Sequence, residues 1–165
     1  MTPETEGSAP RGSAGRVRSA LAALGLADGI VHFEQSTKTA AMAAEAMGCE
    51  LGQIVKSLVF SVDGTPVLAL VAGDRRGDAD AIARETGGRS ASLADAETVR
   101  AATGYAIGGV SPFDLPPELP VLVDDSLARF DTLYPAAGTP SSMVPIAREQ
   151  LLEVTGGRIA SIASG

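Results

Sequence analysis

The sequence predicts an α+β fold, a single compact domain in which short helices pack around a central mixed sheet. Three observations carry that reading. The composition, 45% apolar and 20% charged over 165 residues, is that of a globular chain long enough for one core. Apolar patterns of period two and of period 3.6 both occur. Their order follows no strict strand–helix–strand rhythm, so a doubly wound parallel sheet is not expected.

Residues 1–14, MTPETEGSAPRGSA, hold no apolar periodicity and read as a disordered tail, leaving 15–165 as the folded domain. Val17, Ala20, Leu21 and Leu24 then repeat at helical spacing, with Gly25 as the stop. Ile30–Phe33 reads as a short strand that places His32 in the core. Thr37 or Thr39 is positioned to cap a helix over Ala40–Met47, closed by Gly48. The segment QIVKSLVF, Gln53–Phe60, has four β-branched or aromatic residues among eight and reads as a strand. Asp63-Gly64 supplies the positive φ angles of a tight hairpin turn, and Pro66–Val71 returns.

Beyond the hairpin, Asp78–Thr86 and Ala94–Thr103 read as short helices on either side of Gly87–Ser90. Tyr105–Ile107 is expected as a strand entering Gly108-Gly109. Leu115–Pro120 is a stiff connection, and Val121–Val123 another strand. Thr132–Tyr134 leads to the glycine turn at Ala137–Pro140. Ser142–Ile146 reads as a strand, Ala147–Val154 as a helix stopped by Gly156, and Ile159–Ile162 as a final strand.

Several chemistries are excluded at this level. No run of about 18 apolar residues occurs, so no membrane span is expected. The tail lacks the pattern of a signal peptide, and one cysteine, Cys49, allows no internal disulfide, so a cytoplasmic protein is expected. A single histidine and a single cysteine cannot build a usual zinc cage, so neither metal nor cofactor is expected. No nucleophile elbow, dinucleotide fingerprint or phosphate loop is present. A formal charge of −7 argues against gripping long nucleic acid through a broad basic surface, while leaving contact with the tip of one open.

Lys56 is the candidate that stands out. It shares a strand face with Ile54, Leu58 and Phe60, in a chain with two lysines against eleven arginines. Its ammonium either snorkels to water or serves as a desolvated cation for a phosphate or carbonyl. Gly108-Gly109-Val-Ser-Pro112 allows close backbone approach, with amides that can bind an oxyanion; an ordinary turn stiffened by Pro112 has the same sequence. The turn at Gly138-Thr139-Pro140 has the same two readings. Asp124-Asp125-Ser126 reads as a cap, and Arg75-Arg76, among Asp74, Asp78 and Asp80, as a solvated charge mixture.

Taken together, the helix ending at Gly48, Gln53-Ile-Val-Lys56 entering a hairpin, Gly108-Gly109-x-x-Pro112, Val123–Leu127 and Ala137-Gly138 resemble the YbaK/ProX family of aminoacyl-tRNA deacylases. That family includes the editing insertion domain of bacterial prolyl-tRNA synthetases. The resemblance covers about Ile30–Ile162. It implies that Lys56 is the functional lysine and that Ser57, Gly108, Gly109, Ser111, Pro112, Gly138 and Thr139 border the substrate. It also implies hydrolysis of a small mischarged amino acid from tRNA. Alanine or cysteine on tRNA-Pro is favoured, with serine or threonine possible. The aminoacyl-tRNA acceptor end, and prolyl-tRNA synthetase as a possible partner, follow from the same resemblance. Many relatives place Ser before the late glycine or His nearby, where this chain has Ala137, Thr139 and Ser141, so the amino acid selected stays open. A non-catalytic module that binds an aminoacyl-tRNA or nucleotide end is the alternative.

Overall fold

The computed structural model describes residues 12–33 and 39–165. In chain order these form α1 (Gly12–Ala23), β1 (Val31–His32), α2 (Ala40–Met47), β2 (Val55–Val62), β3 (Thr65–Ala72), β4 (Arg76–Gly77), α3 (Ala79–Glu85), β5 (Ala91–Leu93), α4 (Ala96–Thr103), β6 (Val121–Asp124), β7 (Thr132–Leu133), β8 (Ser142–Met143), β9 (Ile146–Ala147), α5 (Arg148–Thr155), β10 (Arg158–Ala160) and β11 (Ala163–Ser164). The expected tail at 1–11, Thr37 and Lys38 lie outside the described residues. Residues 12–14, expected in the tail, instead form the first turn of α1.

The main sheet has the order β10-β6-β3-β2-β5. β3, β6 and β10 are mutually parallel, whereas β2 is antiparallel to both its neighbours. The hairpin forms as the Asp63-Gly64 pair demands: Val62 pairs with Thr65, and the two turn residues adopt φ of 50° and 87°. Alternation along β3 divides the core. Leu68 and Leu70 face α1, α4 and α5 through Val17, Leu21, Val99 and Leu151. Ala69 and Val71 turn the other way, towards Phe60, Val62 and Ile82 of α3.

Helix ends follow the local code. Thr39, Asp78 and Asp95 accept from the backbone amides of Met42, Ala81 and Thr98, and Gly48, Gly104 and Gly156 close their helices in the left-handed region. Asp124 is likewise a cap: its carboxylate, buried, accepts from the amides of Ser126 and Ile162.

Four expectations are corrected. The segment Tyr105–Ile107 is a turn, not a strand, because Tyr105 plugs the core as a fully buried side chain while Ile107 points outward. His32 is exposed; its two-residue strand pairs with β8 at the periphery instead of entering the core. Ser142–Ile146 is broken in two around Val144-Pro145, its halves pairing with different partners. β5 was not expected at all, since Ala-Ser-Leu carries almost no strand signal; β2 recruits it as an edge partner.

Tyr105 ties the loop that follows it. Its hydroxyl donates to the Phe113 carbonyl, and Arg16 of α1 stacks 4.5 Å above its ring. The same Arg16 bonds the Asp114 carboxylate at 2.9 Å and the Asp114 carbonyl at 2.6 Å. Residues 105–114 are thereby closed into a loop pinned to α1. Burial pushes the Tyr105 phenol up to about 12. A raised folded value means the neutral phenol's contribution is complete below the unfolded value of about 10. It is lost as pH climbs through the folded value. Tyr105→Phe, which leaves the Phe113 carbonyl without its donor, is expected to cost about 1–3 kcal/mol in urea unfolding. The wild-type protein should lose stability between about pH 10 and 12 more steeply than the variant does.

Candidate functional site

A cavity of about 460 Å³ opens beside the first half of β2. Its position follows from the shortness of β5. That strand pairs with β2 only at Phe60–Val62, so the edge from Val55 to Val59 has no neighbouring strand. At one end of the gap the Val55 amide donates to Tyr134 (3.2 Å), and at the other Val59 accepts from the Ala94 amide (2.9 Å). The Gly73 amide bonds to the Ile54 carbonyl across the β2–β3 pair, so even-numbered residues of β2 spend their main-chain groups on β3. Ser57, between the two outward bonds, therefore turns its N–H and C=O towards the cavity. Its hydroxyl is buried with no hydrogen-bond partner among the described residues.

The remaining walls come from four places: Thr39, Ala40 and Ala43 at the start of α2, Leu93, Ala94 and Val99 from β5 and α4, Ile107, Gly108 and Val110, and Ala136 with Ser142 and Met143. Among the described residues Lys56 is the one lining residue that carries a charge, and no carboxylate, imidazole or thiol of theirs lines the cavity. Thr39 and Met143 were not anticipated as wall residues. Thr39 was visible only as a helix cap, and nothing local marks Met143, which reaches the cavity through pairing with distant elements.

The expected site residues fall into three groups. Ser57 and Gly108 line the cavity, and Gly108 adopts φ 87° with open space where a Cβ would stand. Gly109, Ser111 and Thr139 form a layer behind it. The Gly109 amide is spent on the Ala106 carbonyl at 2.9 Å, so it is not the free oxyanion donor the sequence suggested. Ser111 donates to the Ala136 carbonyl at 2.8 Å, and the Thr139 and Ser142 hydroxyls lie 2.8 Å apart. Gly138 and Pro112 serve elsewhere. Gly138 sits under α1, where a Cβ would lie 2.6 Å from the Ser13 carbonyl oxygen and 2.9 Å from Val17. Pro112 borders a separate hollow of about 220 Å³ beside Leu115 and Pro116.

Lys56 occupies the boundary between the two faces of β2. It contributes to the cavity wall, and its half-buried ammonium donates to the Arg75 carbonyl. Desolvation, and secondarily Arg76, lower its pKa, with Asp74 opposing. Asp74 is itself committed to Arg129, whose guanidinium grips both carboxylate oxygens at 2.8 and 2.9 Å and holds its carboxyl below the usual range. Asp74 is thus unsuited to act as a base at neutral pH. What the arrangement offers chemically is a small, largely apolar chamber with hydrogen-bonding groups at Ser57 and Gly108 and a cation at its edge.

Two substitutions separate structural from chemical roles here. Gly138→Ala is expected to destabilise by about 2–4 kcal/mol, since it combines a left-handed φ of 101° with a clash against α1. Urea unfolding checks it. Ser57→Ala should do the reverse, raising stability by about 1 kcal/mol because it removes a buried hydroxyl that has no partner.

Comparison with known proteins bears directly on this chamber. The aminoacyl-tRNA editing domain profile matches residues 34–154, which contain every cavity-lining residue. The candidate Cys-tRNA(Pro)/Cys-tRNA(Cys) deacylase EbsC of Enterococcus faecalis is 29% identical over 122 residues, covering 73% of this chain and 74% of that protein. The multifunctional Ser/Thr-tRNA deacylase ProXp-y of Escherichia coli K12 is 38% identical over 100 residues, covering 58% and 60%. A crystal structure of a candidate trans-editing enzyme for prolyl-tRNA synthetase superposes with a TM-score of 0.84 at 40% identity, over 93% of this chain and 98% of that one.

Proposed function

The chain belongs to the aminoacyl-tRNA editing domain family, and from that premise we propose that it is an aminoacyl-tRNA deacylase acting in trans on a small mischarged amino acid. The observation that carries the reading is the chamber itself: it is small, lined among the described residues by no carboxylate, imidazole or thiol, and floored by the outward-turned polar groups of Ser57. The described residues offer this site no protein nucleophile or general base. It suits a reaction in which water is the nucleophile and the substrate's own ribose hydroxyl relays the proton.

In this scheme water adds to the ester carbonyl, and the developing oxyanion is met by main-chain N–H donors at Ser57 and Gly108. Collapse breaks the acyl–oxygen bond, and the ribose oxygen leaves with a proton. The products are the free amino acid and the tRNA with its terminal hydroxyl restored. Lys56 supplies positive charge at the cavity edge, where the phosphate next to the terminal nucleotide approaches. Burial lowers its pKa, so that charge is lost at a lower pH than on a freely solvated lysine.

Alanine, cysteine, serine and threonine are the amino acids whose side chains suit the chamber, and tRNA-Pro is the carrier to test first. The two deacylase relatives are named for different amino acids, cysteine in one and serine or threonine in the other. A working partnership with prolyl-tRNA synthetase and a cytoplasmic location belong to the same proposal; no helix among the described residues is long and apolar enough to cross a membrane. One observation favours a non-catalytic binding module instead, namely that the Lys56 ammonium is engaged with the Arg75 carbonyl.

The test is amino-acid release from tRNA-Pro charged with Ala, Cys, Ser, Thr or Pro, by wild-type and Lys56→Ala protein. Selective release from a non-proline ester, reduced about 10²-fold or more in the variant, is the expected result. Binding of charged tRNA without release from any ester would favour the binding module.

A further inference from the structure

Among the described residues, the large apolar side chains with the greatest exposure are Leu93, at 65%, and Ile107, at 59%. Both line the one cavity discussed above. The other large apolar side chains that are exposed, Val31, Met42, Leu51 and Ile159, do not. Leu93 and Ile107 come from unrelated elements, the end of β5 and the loop before Gly108, and each is held outward by its neighbours. Ala94 turns into the core and its amide is fixed to Val59, which leaves Leu93 on the solvent side. Ile107 sits within the turn closed by the Gly109 amide on the Ala106 carbonyl, just after the buried Tyr105. Folding gains little from either side chain where it stands.

Resting on the deacylase reading, we infer that Leu93 and Ile107 form an apolar clamp for the terminal adenine base of the tRNA. The chemistry of the substrate places it there. The aminoacyl group fills the chamber, the ribose carrying the ester lies at the mouth, and the attached base is the next group outward. A base presents flat, weakly hydrated faces that apolar side chains cover well. Among the described residues the mouth carries no carboxylate to repel the adjoining phosphate. A protein partner fits less well, because two isolated side chains fall far short of the area a specific protein interface buries.

The clamp holds the leaving group, not the reacting carbonyl, so its loss is read in KM and not in kcat. With whichever aminoacyl-tRNA the wild-type protein cleaves, Leu93→Ala and Ile107→Ala should each raise KM about tenfold, leaving kcat and thermal stability unchanged. An oligoribonucleotide ending in CCA should compete with substrate, one ending in CCU should compete less, and both variants should lose that difference. Unchanged KM in both variants, or equal competition by the two oligonucleotides, overturns the clamp while leaving the deacylase reading intact. Should no ester be cleaved, the deacylase reading fails, and direct titration with the two oligonucleotides decides the clamp. CCA-selective binding that weakens in the variants supports it, and binding that is absent or unselective overturns it.

Discussion

The cavity depends on a constraint that lies outside it, the clasp of Tyr105 on Phe113 under the guanidinium of Arg16. A fully buried phenol in the core costs free energy unless its hydroxyl finds a partner. The partner it finds closes residues 105–113 into a loop of fixed shape. Arg16 extends that order to α1, and α1 in turn lies so close to Gly138 that no side chain fits between them. One helix thus sets the positions of both loops that wall the chamber. The glycines in those loops are needed for different reasons: Gly108 for its open wall and left-handed φ, Gly138 for helix packing.

The second constraint is the incompleteness of a strand pair. An unpaired sheet edge normally invites association with another chain. Here the open stretch of β2 spans only Val55–Val59, is recessed beneath α2 and the 107–110 loop, and is closed at both ends by Tyr134 and Ala94. Those limits exclude a pairing strand yet leave room for a small ligand. The main-chain polar groups of Ser57 are consequently available inside a chamber whose side chains are mostly apolar. The orphan hydroxyl of the same residue is the kind of local cost that binding sites retain at the expense of stability.

Much of this architecture was legible in the sequence, and the boundary of legibility is physical. The helix cap at Thr39, the helix stops at Gly48 and Gly156 and the Asp63-Gly64 turn are decided within a few residues, and they came out as expected. Expectations that depended on distant partners did not. Tyr105–Ile107 has strand composition but is claimed by the core and by Phe113, and β5 has no strand composition but is claimed by β2. The order of the family's motifs located Ser57 and Gly108 at one cavity. Nothing in that order reveals that Pro112 faces a different hollow or that the Gly109 amide is already spent.

Lys56 shows why one strand position can read as both core and site. Side chains alternate, so Lys56 and Ser57 must leave β2 on opposite faces; in a fully paired sheet only one of them would reach the chamber. Because the edge is open at this point, the chamber wraps around it and touches both. The ammonium then lies near Arg76 and Asp74, the latter paired with Arg75 and Arg129. The chain as a whole carries a formal charge of −7, so attraction of a polyanion has to come from a local group of cations. Such attraction acts only over the short range that salt permits. For the proposed substrate that means presentation of one end, the aminoacyl end, and little hold on the body of the tRNA. The unpaired edge that leaves the Ser57 main-chain groups open also lets Lys56 border the same chamber, and a β5 three residues longer would pair with that edge and close it.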